Sequence, residues 1–178
     1  IPKNMVYIGL NGSKVTAYEH RKEPVKQDVL LGICDPEGEQ PAYTSTEQGA
    51  DRWCATIENK SRKKLQFIAI DKNIDIRKLD GNSESRCDGM IFAAETMELS
   101  FVELKDYHVG GYISSAKVQL EKTLEYFLAN HHYEDYHNRR AYACNPRRPS
   151  FAYSARESIT AFYNKTHFRL LPQAKIVF

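Results

Sequence analysis

The sequence lacks the features that define several large classes of protein. No apolar run approaches the roughly 18 residues that a membrane-spanning helix needs, and no GxxxxGK[ST] segment of a nucleotide-driven motor is present. Residues 1–10 lack the basic region, the apolar block and the small-residue cleavage site of a secretory signal. These absences predict a cytoplasmic protein without a built-in ATPase.

Paired cysteines are also missing. The chain has 4 cysteines and none of them lies in a CxxC or CxH pair, which argues against a zinc knuckle. A disulfide framework is not expected at a length of 178 residues. We therefore expect four reduced, partly buried thiols, at Cys34, Cys54, Cys87 and Cys144.

A strong excess of one charge is absent too, since the formal net charge is only +2. Two local basic clusters are more suggestive, because positive groups that flank an active site can bind backbone phosphate. We consider them candidate nucleic-acid-binding residues: Lys60, Arg62, Lys63 and Lys64 in the first cluster, and Arg139, Arg140, Arg147 and Arg148 in the second.

The composition that remains, 42% hydrophobic and 27% charged, is that of an ordinary globular chain with a sizeable core. Two apolar runs at 5–10 and 14–18 flank Asn11-Gly12, a two-residue turn typical of a β-hairpin. A third run follows at 29–34. We predict a β-rich N-terminal extension, residues 1–45, packed on a core formed by residues 46–178.

The core begins, on this interpretation, with a helix near Thr46. Ser45 and Gln48 fit a capping box, and an apolar stripe recurs at helical spacing through Ala50, Trp53, Cys54 and Ile57. Residues 65–70, 88–93 and 99–105 are then predicted strands. A helix with apolar residues three and four apart follows Gly110-Gly111, and further strands are expected at 141–144, 167–171 and 174–178, with a short helix at 158–163.

The strand that ends in Phe-Val-Glu-Leu-Lys carries the first chemical signal. Alternation places Glu103 and Lys105 on one face and Val102 and Leu104 on the other. The Cα atoms of Glu103 and Lys105 would then lie about 6.6 Å apart, which is two strand steps. A carboxylate and an ammonium group on a buried strand need a partner or a metal ion.

The preceding strand supplies a second carboxylate. The midpoint between positions 88 and 103 falls in the polar pair Glu95-Thr96, so a hairpin turning there places Asp88 opposite Glu103. Directly opposed residues have Cβ atoms about 5 Å apart, and two carboxylates that close repel each other. A hard divalent ion relieves this repulsion, and magnesium typically binds one or two carboxylates plus water.

A second Glu-x-Lys triplet, Glu58-Asn59-Lys60, lies in the predicted first helix, where residues two apart do not face each other. We therefore set it aside. Asp88, the Glu103-Leu104-Lys105 triplet and a following helix that carries Gln119 together resemble the PD-(D/E)XK, restriction-endonuclease-like nuclease superfamily. Cys87 stands where the family name has proline.

The resemblance covers about 100 residues and implies a mixed α/β fold whose core runs helix, three-stranded meander, helix, strand. It implies that Asp88, Glu103 and the carbonyl of Leu104 bind Mg²⁺, with Mn²⁺ as a substitute, and that Lys105 acts on the attacking water. Many members add a glutamate from the first helix, for which Glu47 fits and Glu58 is the alternative. Gln119, or Lys117 near it, would support the active site from the second helix.

These features predict a metal-dependent endonuclease that hydrolyses DNA. Two alternatives stay open at this point: a nuclease that acts on RNA, and a binding or assembly module that has the fold without turnover. A nuclease domain of this size often depends on a homodimer or a partner protein for its choice of target.

Overall fold

The computed structural model describes residues 6–8, 14–16, 23–78, 80–108, 110–148 and 156–178, with the backbone alone at 6–8 and 14–16. The strands of the N-terminal half are β1 Val6–Ile8, β2 Lys14–Thr16, β3 Leu30–Cys34, β4 Tyr43–Ser45, β5 Ala55–Glu58, β6 Leu65–Ala69 and β7 Gly89–Ala93. The remaining elements are β8 Glu98–Leu104, α1 Tyr112–Leu128, a short 3₁₀ helix Tyr133–Asp135, β9 His137–Cys144, α2 Arg156–Thr166, β10 Arg169–Leu171 and β11 Lys175–Val177.

A five-stranded sheet in the order β10-β9-β8-β7-β6 forms the middle of the molecule. Strands β6, β7 and β8 are an antiparallel meander. Helix α1 then carries the chain across the sheet, so that β9 returns parallel to β8, and β10 is parallel to β9. The predicted sequence of three strands, a helix and a strand is thus confirmed, as is the mixed α/β class.

Two apolar cores lie on opposite faces of this sheet because its side chains alternate. Phe101 belongs to the core beneath the helices, with Leu120 and Phe162. Val102, the next residue, belongs to a second core shared with Ile33 of β3. The molecule is therefore layered: helices, five-stranded sheet, and a four-stranded sheet in the order β11-β5-β3-β4.

The predicted first helix is wrong. Residues 46–54 form turns and a short irregular segment, and β5 begins at Ala55. Ile57 and Ala55 are buried while Thr56 and Glu58 are half-exposed, which is the alternation of a strand. Trp53 instead covers Gly32 on β3, where an added Cβ would lie 2.1 Å from the indole ring. This packing between distant residues fixes the segment as a strand.

Other predicted elements agree with the structure. Strands β1 and β2 pair as an antiparallel hairpin, while its turn at Asn11-Gly12 lies outside the described residues. Helix α1 starts directly after Gly111, whose φ of 93° is a conformation that glycine adopts without strain. Within the described ranges, no helix is long and apolar enough to span a membrane. The division at residue 45 stays a prediction, although β3 and β4 on one side of it share a sheet with β5 and β11 on the other.

Candidate active site

Asp88 and Glu103 lie near each other at one end of the β7–β8 hairpin, where the charge of Asp88 acts on Glu103. The strand pairing ends at Gly89 opposite Val102, and Asp88 and Glu103 are the next residues of the two segments. The Asp88 carbonyl accepts a hydrogen bond from Ile70 N at 2.8 Å, and its carboxylate Oδ2 accepts one from Leu104 N at 2.5 Å. Backbone contacts from β8 and from the residue that follows β6 thus fix the position of Asp88.

Glu103 is the most deeply buried member of the group, with 1% of its surface exposed. Its Oε1 lies 2.6 Å from Lys105 Nζ. Its Oε2 is buried and has no hydrogen-bond partner among the described residues. A buried carboxylate oxygen without a donor is costly, and a cation bound at that oxygen would remove the cost.

Both carboxyl groups resist ionisation. Burial, with the negative charge of Asp35 adding to it, raises the pKa of Asp88 to about 7. Burial and the neighbouring Asp88 raise the pKa of Glu103 to about 9. The direction is that expected for two opposed carboxylates in a dry site, and Lys105 alone does not offset it.

Lys105 is held in place from two sides. Its backbone N donates to the carbonyl of Cys144 on β9 at 2.8 Å. Its Nζ donates to Oε1 of Gln119 on α1, and Gln119 Nε2 donates to the carbonyl of Arg86 at 3.2 Å. The structure therefore places Gln119 directly against Lys105. Lys117, the alternative, instead pairs with Glu121 at 3.5 Å.

An open cleft of about 370 Å³ lies at this edge of the sheet and is lined by Leu104 and Lys105. Its walls include residues outside the predicted site: Asp35, Arg52, Lys72 and Asp106. Asp71, just after β6, adds a further carboxylate whose charge raises the pKa of Asp88 and Glu103. Asp71 is the residue after Ile70, whose N–H donates to the Asp88 carbonyl. Extending the predicted strand pairing from β7 to β6 would therefore have indicated that Asp71 lies near Asp88.

The glutamates expected from the first helix lie elsewhere, because that helix does not exist. Glu47 is exposed in a turn after β4, where its backbone N donates to Ser45 Oγ at 3.0 Å. Glu58 lies on β5 and pairs with Lys175 at 2.6 Å. The Glu58-Asn59-Lys60 triplet thus starts on a strand and not in the predicted helix, but Glu58 is ion-paired with β11 and Lys60 is exposed in the turn after β5.

The first basic cluster lies at the opposite end of the meander. Lys60, Arg62, Lys63 and Lys64 precede Leu65, which is opposite Ala93, about five strand steps or roughly 17 Å from the level of Asp88. Lys63 pairs with the buried Glu98 at 2.5 Å, and Lys64 pairs with Glu95 at 3.0 Å. These residues do not flank the cleft.

The second basic cluster is divided. Arg139 donates to the carbonyl of Tyr133 at 2.8 Å, and Arg140 to the carbonyl of Val177 at 2.7 Å, so both contribute to packing near the start of β9. Arg147 and Arg148 follow β9 at the end where Leu104 is opposite Cys144. Only this half of the cluster lies at the level of Lys105.

Among the residues that the structure describes, no group of three or more histidine, cysteine, aspartate or glutamate side chains is arranged to hold a metal ion. Two carboxylates and a carbonyl do not form such a group, yet magnesium commonly binds through one or two carboxylates with water and substrate phosphate.

Comparison of the chain with family models, curated proteins and solved structures finds no match.

Proposed function

We propose that this protein is a magnesium-dependent nuclease that hydrolyses phosphodiester bonds in DNA. The observation that carries the proposal is the buried Glu103 beside the half-buried Asp88, with Glu103 Oε2 lacking a hydrogen-bond partner among the described residues and Lys105 Nζ 2.6 Å from Glu103 Oε1. The meander, helix α1 and parallel β9 give further support, since the PD-(D/E)XK core has this order after its first helix.

The donor set fits a hard cation. Asp88, Glu103 and the carbonyl of Leu104 would hold the ion, and Mn²⁺ would substitute for Mg²⁺ since both prefer oxygen ligands. A bound ion of this kind lowers the pKa of water and offsets negative charge on the phosphate. The departure from the family pattern is the missing first helix, so no glutamate from that element joins the site.

The chain's own residues would then divide the remaining work. Lys105 Nζ lies 2.6 Å from Glu103 Oε1 and, as an ammonium group, would orient the attacking water and offset negative charge on the phosphate, while the proton of the water would pass to solvent. Gln119 fixes that ammonium group through Oε1, and the Leu104 N–H holds the Asp88 carboxylate in its rotamer. The attacking oxygen would form its bond to phosphorus as the bond to the 3′ oxygen breaks.

The test is incubation of the purified protein with supercoiled, linear, branched and single-stranded DNA, and with RNA, in Mg²⁺, in Mn²⁺ and in EDTA. We expect metal-dependent cleavage of at least one DNA substrate. Cleavage of RNA alone would favour the RNA-directed nuclease. Tight binding without cleavage in either metal would refute the proposal and favour a non-catalytic nucleic-acid-binding module.

A further inference from the structure

A second charged group lies in the same cleft, immediately beyond Lys105. Asp106 accepts from two arginines that come from separate parts of the chain. Arg52, just before β5, approaches Asp106 Oδ2 at 2.5 Å through Nη2. Arg147, just after β9, donates to Oδ1 through Nε and to Oδ2 through Nη2, the latter at 3.3 Å. We call these three residues the Asp106 cluster.

The topology explains why these segments meet. Strands β8 and β9 are parallel neighbours that end together, with Leu104 opposite Cys144, so Asp106 and Arg147 emerge at the same edge of the sheet. Arg52 reaches that edge from the adjoining four-stranded layer. The cleft that Lys105 lines is also lined by Arg52 and Asp106.

The charges of the Asp106 cluster do not balance. One carboxylate faces two guanidinium groups, so the cluster has one formal positive charge in excess. All three side chains are accessible, at 63% for Arg52, 38% for Asp106 and 38% for Arg147. Exposed ion pairs of this kind contribute little to stability, whereas paired guanidinium groups match the geometry of a phosphate.

We infer that Arg52 and Arg147 together bind a backbone phosphate of the nucleic acid, next to the phosphate that a metal ion at Asp88 and Glu103 would contact. Asp106 is an internal anion that occupies the two arginines until a phosphate displaces it. This inference rests on the proposed function, because it requires a nucleic-acid strand in the cleft. It also gives the cleft a direction, from Lys105 toward Arg147.

The experiment measures binding in EDTA, so that no strand is cut, using a short fluorescein-labelled single-stranded DNA, its duplex and the matching RNA at several salt concentrations. We expect Arg52→Gln and Arg147→Gln each to weaken binding about tenfold and to reduce the slope of log affinity against log salt by about 1. The control is Lys64→Gln, which removes an exposed, ion-paired cation at the far end of the sheet and should leave affinity within about twofold.

Asp106→Asn separates displacement from a general charge effect. If Asp106 competes with the phosphate for the two arginines, Asp106→Asn should raise the affinity for nucleic acid severalfold. The gain should disappear in the triple variant that also carries Arg52→Gln and Arg147→Gln, because Asp106 acts only through these arginines. Thermal melting of each variant checks that the fold is kept. A gain that persists in the triple variant, a loss of affinity in Asp106→Asn, or an equal effect of Lys64→Gln would overturn the inference.

The two proposals fail differently. If the wild-type protein shows this binding pattern but cuts nothing in Mg²⁺ or Mn²⁺, the nuclease proposal is wrong and the phosphate site stands. If the protein cuts DNA while both arginine variants bind it as the wild type does, the phosphate site is wrong and the nuclease stands. A wild-type protein that binds none of the three nucleic acids refutes both.

Discussion

At the scale of single residues, strand β8 contains two buried glutamates in contrasting environments. Glu98 is 4% exposed and pairs with Lys63 at 2.5 Å, and the hydrogen bond from Lys63 helps to keep its pKa below the ordinary value. Glu103 is equally buried and also has a lysine partner, but its pKa is raised to about 9 by burial and by Asp88. Burial, followed by the charge of Asp88, raises the pKa of Glu103, whereas hydrogen bonds from Lys63 and other polar groups hold the pKa of Glu98 down. The second carboxylate makes the Glu103 end of β8 suited to a cation.

The first prediction uses these two glutamates as a matched pair. Asp88→Asn and Glu103→Gln should each abolish cleavage and weaken Mg²⁺ binding, because each removes a charged ligand. Glu98→Gln, on the same strand and equally buried, should keep both. Cleavage assays and titration with Mg²⁺ measure the two effects, and wild-type cleavage by Glu103→Gln would show that the hairpin is structural.

The second prediction concerns Lys105, which has no role as a metal ligand. Lys105→Met should reduce cleavage by roughly 10²–10³-fold, the range for loss of one group that stabilises charge in the transition state, while Mg²⁺ still binds. Calorimetric titration with Mg²⁺ and single-turnover cleavage on the same preparation distinguish the two effects. Loss of Mg²⁺ binding in this variant would instead make Lys105 necessary for placing Glu103.

The third prediction follows from the raised pKa values. In the unfolded chain these carboxyl groups lose their protons at the ordinary pKa values, 3.8 for Asp88 and 4.5 for Glu103, whereas in the folded protein the pKa values are about 7 and about 9. Without metal, the free energy of unfolding should therefore fall as the pH rises through this range. Mg²⁺ requires both carboxylates without protons, so its affinity should rise over the same window.

Melting temperatures measured in EDTA and in Mg²⁺ across this pH range test the third prediction. The gap between the two curves should widen with pH, and Asp88→Asn should make the EDTA curve flatter. A gap that is constant with pH would contradict the assignment of both carboxylates as ligands.

At the scale of elements, helix α1 acts as the support for Lys105. Its buried face includes Ala116, Leu120 and Leu124, and this packing against the sheet brings Gln119, beside that face, to Lys105 Nζ. Gln119 also reaches the Arg86 carbonyl, which connects the helix to the segment that precedes β7. A change in the packing of α1 would therefore alter the position of the ammonium group.

The fourth prediction tests that support. Gln119→Leu should lower the cleavage rate roughly 10- to 100-fold, because a hydrogen bond to a charged group contributes about 1.5–3 kcal/mol, with Mg²⁺ affinity unchanged. Val118→Ala is the control, since Val118 is 54% exposed on the same helix and should behave as the wild type. Equal losses in both variants would mean that the helix as a whole, rather than Gln119, is responsible.

At the scale of the whole molecule, the C-terminal strands join both sheets. Strand β10 extends the five-stranded sheet beside β9, and β11 extends the four-stranded sheet beside β5. Ile176 on β11 is fully buried in the core between the layers, with Leu31 and Ile57. The cleft depends on this arrangement, because Arg52 precedes β5 while Lys105 and Asp106 follow the end of β8 in the other sheet.

The fifth prediction follows from that role of β11. Ile176→Ala should destabilise the fold by about 2–5 kcal/mol, a fall in Tm of roughly 5–15 °C. Val177→Ala, at 45% exposure on the same strand, should shift the free energy of unfolding by less than about 0.5 kcal/mol. Thermal unfolding measures both, and similar values would mean that β11 packs only loosely.

The sequence by itself determined the elements whose signals are local. The meander and the helix after Gly111 follow from alternation and helical periodicity, which need only nearby residues. Hairpin symmetry predicts the opposition of Asp88 and Glu103, the residues next to the last pair of the hairpin. The same patterns indicated Lys105 on the face of Glu103. These local patterns agree with the structure because they arise from the steric rules of strands and helices, which the tertiary contacts did not override.

Tertiary structure alone decided the rest. Ala50, Trp53, Cys54 and Ile57 fit a helix, but Ile57 pairs with Leu31 and Ile176 across the sheet, and these distant partners outweigh a weak local preference. The same long-range packing excluded Glu47 from the site and brought Arg52, Asp35 and Asp71 to its edge. The positions of such residues depend on which strands become neighbours. The free energy of the whole chain decides that pairing, and a local sequence pattern does not reveal it.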